Sequence, residues 1–462
     1  MQAPFDILAD LDTPVSAYLK LADLKPRYLL ESVEQGQRLA RYSFLGFGDY
    51  RDIRLTSDGL TVDGVTRVNP PDQAALLDAL RDILAEVPRP TPVVEELPFS
   101  GGLVGVAGYD VVRRFEHLPD APPPAPGIPE AAYMATESLL VFDHLTRRIA
   151  LLHSGSDEAR LALKKAVIER LRGAVPEGTG QAARFSDPVG SLTEDAFCER
   201  VAEAREHIAA GNIYQIVLSV CFEGQTEVAP FEVYRALRLL NPSPYMFFCE
   251  FDDFQVAGSS PEALVRLNGR RAALRPIAGT LPRGADEAED QSNARTLLAD
   301  PKERAEHVML VDLARNDLGR VATPGSVEVA PYMSIEKYSH VMHIVSGVQG
   351  EVAPDRDAFD LFAAAFPAGT LVGAPKVRAM QLIDGFEPVG RGLYAGTVGY
   401  FGYDGDMDQA ITIRTMVFRD GQYSFQAGAG IVADSVPEKE YAEVLAKSAI
   451  LRRAMALAGA GL

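Results

Sequence analysis

The sequence predicts an α+β fold in which antiparallel sheets are faced by helices, and three observations carry that expectation. Five turn dipeptides, Asp58-Gly59, Asp63-Gly64, Asn268-Gly269, Asp404-Gly405 and Asp420-Gly421, sit between strand-like runs. They suit two-residue hairpins, whose central residues need positive φ. Long helical stretches with clear start signals are interspersed, as at 300–320, DPKERAEHVMLVDLARNDLGR. Strands and helices do not alternate regularly, which argues against a parallel sheet.

Each element has a local reason. The run 118–132, LPDAPPPAPGIPEAA, is a surface loop, since its prolines suit neither a helix interior nor a central strand. A helix covers roughly 157–173. The stretch 174–191, AVPEGTGQAARFSDPVGS, reads as a linker between an N-terminal region, 1–180, and a second domain, 190–457. Ser191 with Glu194 reads as a capping box; Phe197, Val201, Ala204 and Ile208 then make one apolar face, and Gly211 ends the helix. Asp300-Pro301 reads as N-cap and first helical residue, so Glu303 and Glu306 share a face at i and i+3. Val436-Pro437 opens another helix with Glu440, Glu443 and Lys447 at i, i+3 and i+7. Four acids on two helices could meet one hard cation such as magnesium, which takes oxygen ligands and keeps several waters. The plainer reading is solvated helix surface, with Glu303 closing a capping box on Asp300 and Glu443 pairing with Lys447.

Composition excludes several classes. The 462 residues carry 64 acidic against 45 basic side chains, a formal charge of −19, and 47% are hydrophobic. That apolar share supports a packed core. The length prior allows about three domains. The negative charge disfavours nucleic acid and anionic membranes, and no run of like positive charge offsets it. The start, MQAPFDILADLD, has no basic or apolar leader pattern, and no stretch approaches the ~18 apolar residues of a span. A soluble cytoplasmic protein is expected. Cys198, Cys221 and Cys249 are odd in number and lack CxxC spacing, so reduced thiols are expected.

Ordered blocks across nearly the whole chain give the most specific signal. They include LLES (29–32), RYSF (41–44), GGLVG (101–105), YQIVLS (214–219), NPSPYMFF (241–248), SSPE (259–262), RPIAGT (275–280), EHVMLVDLARNDLGRV (306–321), YSHVMHIVS (338–346), FPAGTLVGAPKVRAMQLID (366–384), YAGTVGYF (394–401), IRT (413–415) and AGAGIVADSVPEKEY (427–441). Together they resemble the anthranilate synthase component I family of chorismate-utilising enzymes. The resemblance implies a sandwich of two antiparallel β-sheets faced by helices, with the site in a cleft between them. It also implies formation of anthranilate and pyruvate from chorismate and ammonia, as the first step of tryptophan biosynthesis.

Roles follow by position. Glu303, Glu306, Glu440 and Glu443 match the family's magnesium acids. Gly279 and Thr280 match positions at the ring carboxylate, Tyr394 and Arg414 those at the enolpyruvyl carboxylate, and Arg suits a carboxylate through its planar fork. Gly428 and Gly430 would let backbone N–H groups approach an anion, with Lys447 adding charge. His343 and Glu262 are the base and acid candidates. Gln215 stands where isochorismate and salicylate synthases carry a lysine base, which disfavours water activation, and Ala278 stands where aminodeoxychorismate synthases often carry a nucleophilic lysine. Leu281 and Val372 depart from the usual Arg and Ser or Thr.

The LLES, RYSF and NPSPYMFF blocks match the family's allosteric tryptophan site. Glu31 and Ser32 would meet the amino group, and Pro244, Tyr245 and Met246 form an apolar wall; feedback inhibition is the expectation. No cysteine lies in a glycine-flanked elbow, so the resemblance implies a separate glutamine amidotransferase subunit supplying ammonia. Two other readings stay open: an aminodeoxychorismate synthase component I serving folate synthesis, and a tryptophan-binding regulator with little catalysis.

Overall fold

The computed structural model describes residues 4–32, 41–94, 97–119, 121–125, 127–337 and 341–462. Met1–Ala3 of the leader reading and Tyr338–His340 of the 338–346 block lie outside them. Two long strands, Tyr42–Thr56 and Ala131–Asp143, pair along most of their length and run through both layers of the molecule. From one end of this pair a first antiparallel sheet extends on one side through Arg148–His153 to Ile7–Leu8. On the other side it continues through Pro26–Glu31, Tyr245–Glu250, Gln255–Ser260, Thr415–Arg419, Gln422–Ile431 and Gln215–Gln225. From the other end a second antiparallel sheet continues through Gly102–Ala107, Thr397–Gly402, Met407–Ile411, Ala263–Asn268, Arg271–Leu274 and Val348–Glu351. The shared strands change layer at a register shift between Phe47 and Tyr50.

Period-two alternation sorts the side chains into two cores. Phe247 and Cys249 of one strand, Leu139 and Val141 of another, and Val104, Val106, Val398 and Tyr400 of the second sheet pack together between the layers. The intervening residues, Met246, Phe248, Leu140 and Phe142, face outward into a larger core shared with the helices. This is the sandwich faced by helices that the sequence predicts. Residues 1–180 and 190–457 both supply strands to both sheets, so they share one core. Among the described residues no helix is long and apolar enough to cross a membrane.

The predicted turns hold in differing detail. Asp63-Gly64 (φ 51° and 75°) and Asp420-Gly421 (φ 50° and 72°) are two-residue turns with both central φ values positive. Asn268 pairs with Arg271, so there the turn residues are Gly269 and Arg270. Thr56 pairs with Gly59, which puts Ser57 and Asp58 at that turn, and Asp404-Gly405 lies in the longer loop 403–406.

Helix starts follow the same pattern. The helix Glu194–Ala209 is capped by Thr193, whose side chain accepts from Ala196 N, in place of the expected Ser191. Ser191 is committed elsewhere: its hydroxyl accepts from Cys221 N at 3.1 Å. Gly211 follows that helix at φ +75°, as expected of its end. Asp300 caps Pro301–Gly319 by accepting from Lys302 N and Glu303 N. The Glu303 carboxylate does not fold back to close a capping box, because it faces Gly279.

Phe99 joins the layers, with its ring centroid 5.4 Å from Phe44 and 4.4 Å from Tyr400. It is 2% exposed. Phe99→Ala should lower stability by about 3–5 kcal/mol through the cavity it leaves, read as a lower midpoint in thermal unfolding. A midpoint equal to the parent's would contradict this packing.

Candidate functional site

Beside the sandwich a small antiparallel sheet pairs Ile277–Pro282 with Val341–Val345 and the latter with Ser334–Lys337. Its register places Thr280 opposite His343, after an irregularity at Gly279, where φ is +65°. His343 Nδ1 lies 2.9 Å from the Gly279 carbonyl and 3.0 Å from Thr280 Oγ1. A carbonyl only accepts, so Nδ1 carries the hydrogen and Nε2 is the basic nitrogen of the ring. Burial lowers the His343 pKa, and the Arg414 charge lowers it further, against the raising effect of the Gly279 bond. The neutral ring is thereby favoured.

Gly279 also fixes the distance to the acids. A Cβ there would sit 3.0 Å from Glu303 Oε2. Glu306, one turn along, has its pKa raised by burial and by the charges of Glu303 and Glu443, against Lys302 and Lys447. Glu303 of the same helix and Glu443 of Pro437–Ala460 therefore both act on Glu306. Glu443 is the acid of Pro437–Ala460 whose charge registers at Glu306; Glu440 lies one turn earlier in that helix. Among the described residues no three His, Cys, Asp or Glu side chains converge tightly enough to hold a metal as they stand. Mutually repelling carboxylates that do not converge on one point fit a hard dication bound partly through water better than an all-protein cage.

Lys447 joins these acids to the sheet. Its Nζ is 2.7 Å from Glu443 Oε1 and donates to the Gly428 carbonyl at 3.1 Å. The expected i,i+4 surface pair is thus present, and it stands at the site's edge. Gly428 lies opposite Ser219, and a Cβ there would meet the Tyr394 hydroxyl at 2.7 Å. A Cβ at Gly430 would meet the Gln215 side-chain amide at 2.9 Å. Both glycines leave space that Tyr394 and Gln215 border.

Glu262 and Arg414 complete the group. Thr370 Oγ1 donates to Glu262 Oε1 at 3.2 Å, while burial pushes the carboxyl up to about 7 against the lowering effects of Thr370, Arg414 and Lys447. Arg414 has its pKa lowered by burial and adopts φ +50°, a left-handed conformation that costs energy in a non-glycine residue. Its Nη1 donates to Asn241 Oδ1 at 3.3 Å, and its carbonyl accepts from Ser259 N. Arg414 acts on both Glu262 and His343, and Lys447 on both Glu262 and Glu306. Glu262, His343 and Glu306 are thus linked electrostatically through these two cations. Thr370 and Asn241 were not singled out by sequence; Thr370 lies in the 366–384 block and Asn241 opens the 241–248 block, but neither hydroxyl nor amide alone signals a contact so distant in sequence.

A cavity of about 260 Å³ opens between the layers. Glu31, Ser32, Pro244, Tyr245 and Met246 all line it, with Arg41, Arg266 and Asp408. The Glu31 carboxylate is already held by Arg238 at 3.1 and 3.3 Å and by the Tyr234 hydroxyl. The acid pointing a carboxylate into the wall shared with Tyr245 is Asp408, 2.9 Å from that hydroxyl.

Comparison with known proteins gives the family of the chain. The chorismate binding enzyme family matches residues 25–453. The chain is 46% identical to anthranilate synthase component 1 of Thermus thermophilus, over 98% of each chain. It is 43% identical to that of Pseudomonas aeruginosa, over 98% of this chain and 95% of the relative. The crystal structure of anthranilate synthase component I from Streptococcus pneumoniae superposes with a TM-score of 0.80 at 36% identity, covering 98% of this chain and 100% of that one. At 19% identity the menaquinone-specific isochorismate synthase of Escherichia coli shares the fold, with a TM-score of 0.72 over 97% of this chain and 92% of its own. The chain therefore belongs to the chorismate binding enzyme family, and within it to the anthranilate synthase component I group.

The raised Glu262 pKa has a stability consequence of definite sign. Its folded value of about 7 exceeds the ordinary 4.5, so the favourable contribution is complete below about 4.5 and is lost as pH rises through about 7. Glu262→Gln should therefore raise the thermal midpoint relative to the parent more at pH 8 than at pH 4.5. An equal difference at both pH values would show that the carboxyl ionises normally.

Proposed function

We propose that the chain converts chorismate and ammonia to anthranilate and pyruvate. The carrying observation is that Arg414 acts on both an acid poised near neutrality, Glu262, and a neutral imidazole with a basic Nε2, His343. Below about pH 7 Glu262 holds a proton to give to the departing ring hydroxyl as ammonia adds, which releases water. Nε2 of His343 then takes a ring proton, and the electron pair left behind forms the aromatic ring as the enolpyruvyl group leaves to become pyruvate. Arg414 and the Tyr394 hydroxyl hold the enolpyruvyl carboxylate, while Gly279 and Thr280 flank the ring carboxylate. Magnesium on Glu303, Glu306, Glu440 and Glu443, some through water, would neutralise that carboxylate and draw charge toward it. Gln215 cannot act as a base and Ala278 cannot attack the ring, which favours amination through to anthranilate over isochorismate or a stable aminodeoxychorismate.

Ammonia is supplied by a separate glutamine amidotransferase subunit. Cys221 and Cys249 lie within strands and burial pushes both thiols up to about 12, the opposite of an activated nucleophile. The cavity lined by Ser32 and Tyr245 supports a regulatory reading, in which tryptophan binds there and lowers chorismate affinity.

With chorismate, magnesium and a large excess of an ammonium salt near neutral pH, where part of the Glu262 population is protonated and some free ammonia is present, the purified chain should yield anthranilate and pyruvate, and with glutamine alone neither. Accumulated isochorismate or aminodeoxychorismate, or glutamine-dependent turnover without a second protein, would overturn the assignment. Chelation should abolish turnover, and Glu306→Gln should reduce it by at least about a hundredfold in a folded protein, the scale set by removing charge stabilisation from a transition state; a variant with most of its activity would refute the metal role. Tryptophan should inhibit the parent, and Ser32→Ala should relieve that inhibition with little change in uninhibited rate. Undiminished inhibition of the variant would remove Ser32 from the effector site.

A further inference from the structure

The most enclosed ion pair of the site touches no proposed substrate atom. Arg391 and Glu387 are 3% and 4% exposed and lie 2.7 Å apart. Arg391 uses its whole fork: Nε donates to Glu387 Oε2 at 2.9 Å, Nη1 to the Leu371 carbonyl at 2.7 Å, and Nη2 to both Glu387 Oε1 and the Val217 carbonyl at 2.8 Å. Glu387 Oε1 in turn accepts from Ser219 N at 2.9 Å and Ser219 Oγ at 2.6 Å. The guanidinium lies 5.0 Å from the Tyr109 ring centroid and 5.6 Å from that of Tyr394.

Each tethered atom lies next to a group of the proposed site. Leu371 follows Thr370, the donor to Glu262. Ser219 is the register partner of Gly428, and its Cβ and the Tyr394 hydroxyl both border the space over Gly428. The Arg391 guanidinium lies over the Tyr394 ring. We propose that Arg391 and Glu387 are positioning residues that set Tyr394, the Gly428 strand and the Thr370 segment at fixed spacing for the chorismate carboxylate. This rests on the reading of Tyr394 and Glu262 as chorismate contacts.

A pair kept only for stability would be an unpromising use of buried charge, since two desolvated ions recover little more than their desolvation cost. The demand for a planar donor fork reaching three acceptors at once explains arginine at this position, and lysine cannot reproduce that fork. The two functions separate on substitution.

The test is steady-state kinetics of Arg391→Lys, with chorismate and ammonium varied in turn and thermal unfolding measured alongside. The expected result is a folded protein whose KM for chorismate rises at least tenfold while its KM for ammonium stays within twofold of the parent. Arg391→Met should raise the chorismate KM further. A parent-like chorismate KM in folded Arg391→Lys overturns the proposal, as does an equal rise in both KM values. Should Arg391→Lys fail to fold, Glu387→Gln, which keeps the shape and the acceptor for Ser219, carries the same expectation. Failure of both to fold would make the pair a folding element and overturn the positioning role. Absence of anthranilate from the parent enzyme would instead refute the proposed function and leave these kinetics without a substrate.

Discussion

The pairing of Tyr42–Thr56 with Ala131–Asp143 is the constraint on which the architecture rests. Because these two strands cross from one layer to the other, neither sheet can form independently, and the sandwich core closes around them. Strands from beyond residue 210 then add to both layers against N-terminal ones. The cost is non-local pairing, whose loop-closure entropy must be met before contacts accumulate. The return is a set of strand ends held rigidly enough to bring residues 262, 394, 414 and 428 together.

Charge is organised against the overall field. A chain of formal charge −19 repels an anionic substrate at long range, so recognition depends on cations placed locally, one buried and one at the exposed edge of the site. Arg414 and Lys447 are those cations, each acting on two of the proposed catalytic or metal groups. Arg414 is held there in an unfavourable backbone conformation, a strain that the Ser259 and Asn241 contacts offset.

How far the sequence reveals this depends on the range of the cause. Asp300-Pro301 announced a helix correctly because cap and first turn are local, and Asp63-Gly64 and Asp420-Gly421 announced turns because their positive φ values are intrinsic preferences. Ser191 failed as a cap because a strand thirty positions away takes its hydroxyl, and Asn268-Gly269 slipped by one because cross-strand register decides which residues turn. In the site, the resemblance supplied identities and the structure supplied relations. Glu303 facing Gly279, Nδ1 of His343 on a carbonyl, and Glu31 already held by Arg238 are tertiary facts with no local signature. The Arg391 and Glu387 pair, i and i+4 on paper an ordinary surface bridge, is legible only once its burial is known.

The division of labour between Glu262 and His343 is the central claim, and a single-turnover experiment with His343→Met addresses it directly. Chorismate, magnesium and ammonia are mixed with excess enzyme, and products are separated and identified by mass. If Glu262 serves loss of the hydroxyl and His343 serves the later elimination, the variant should form the aminated, still non-aromatic intermediate while anthranilate falls at least about a hundredfold, in the range general-base catalysis contributes. Equal loss of intermediate and anthranilate would contradict it, and would make His343 a residue that shapes the whole site.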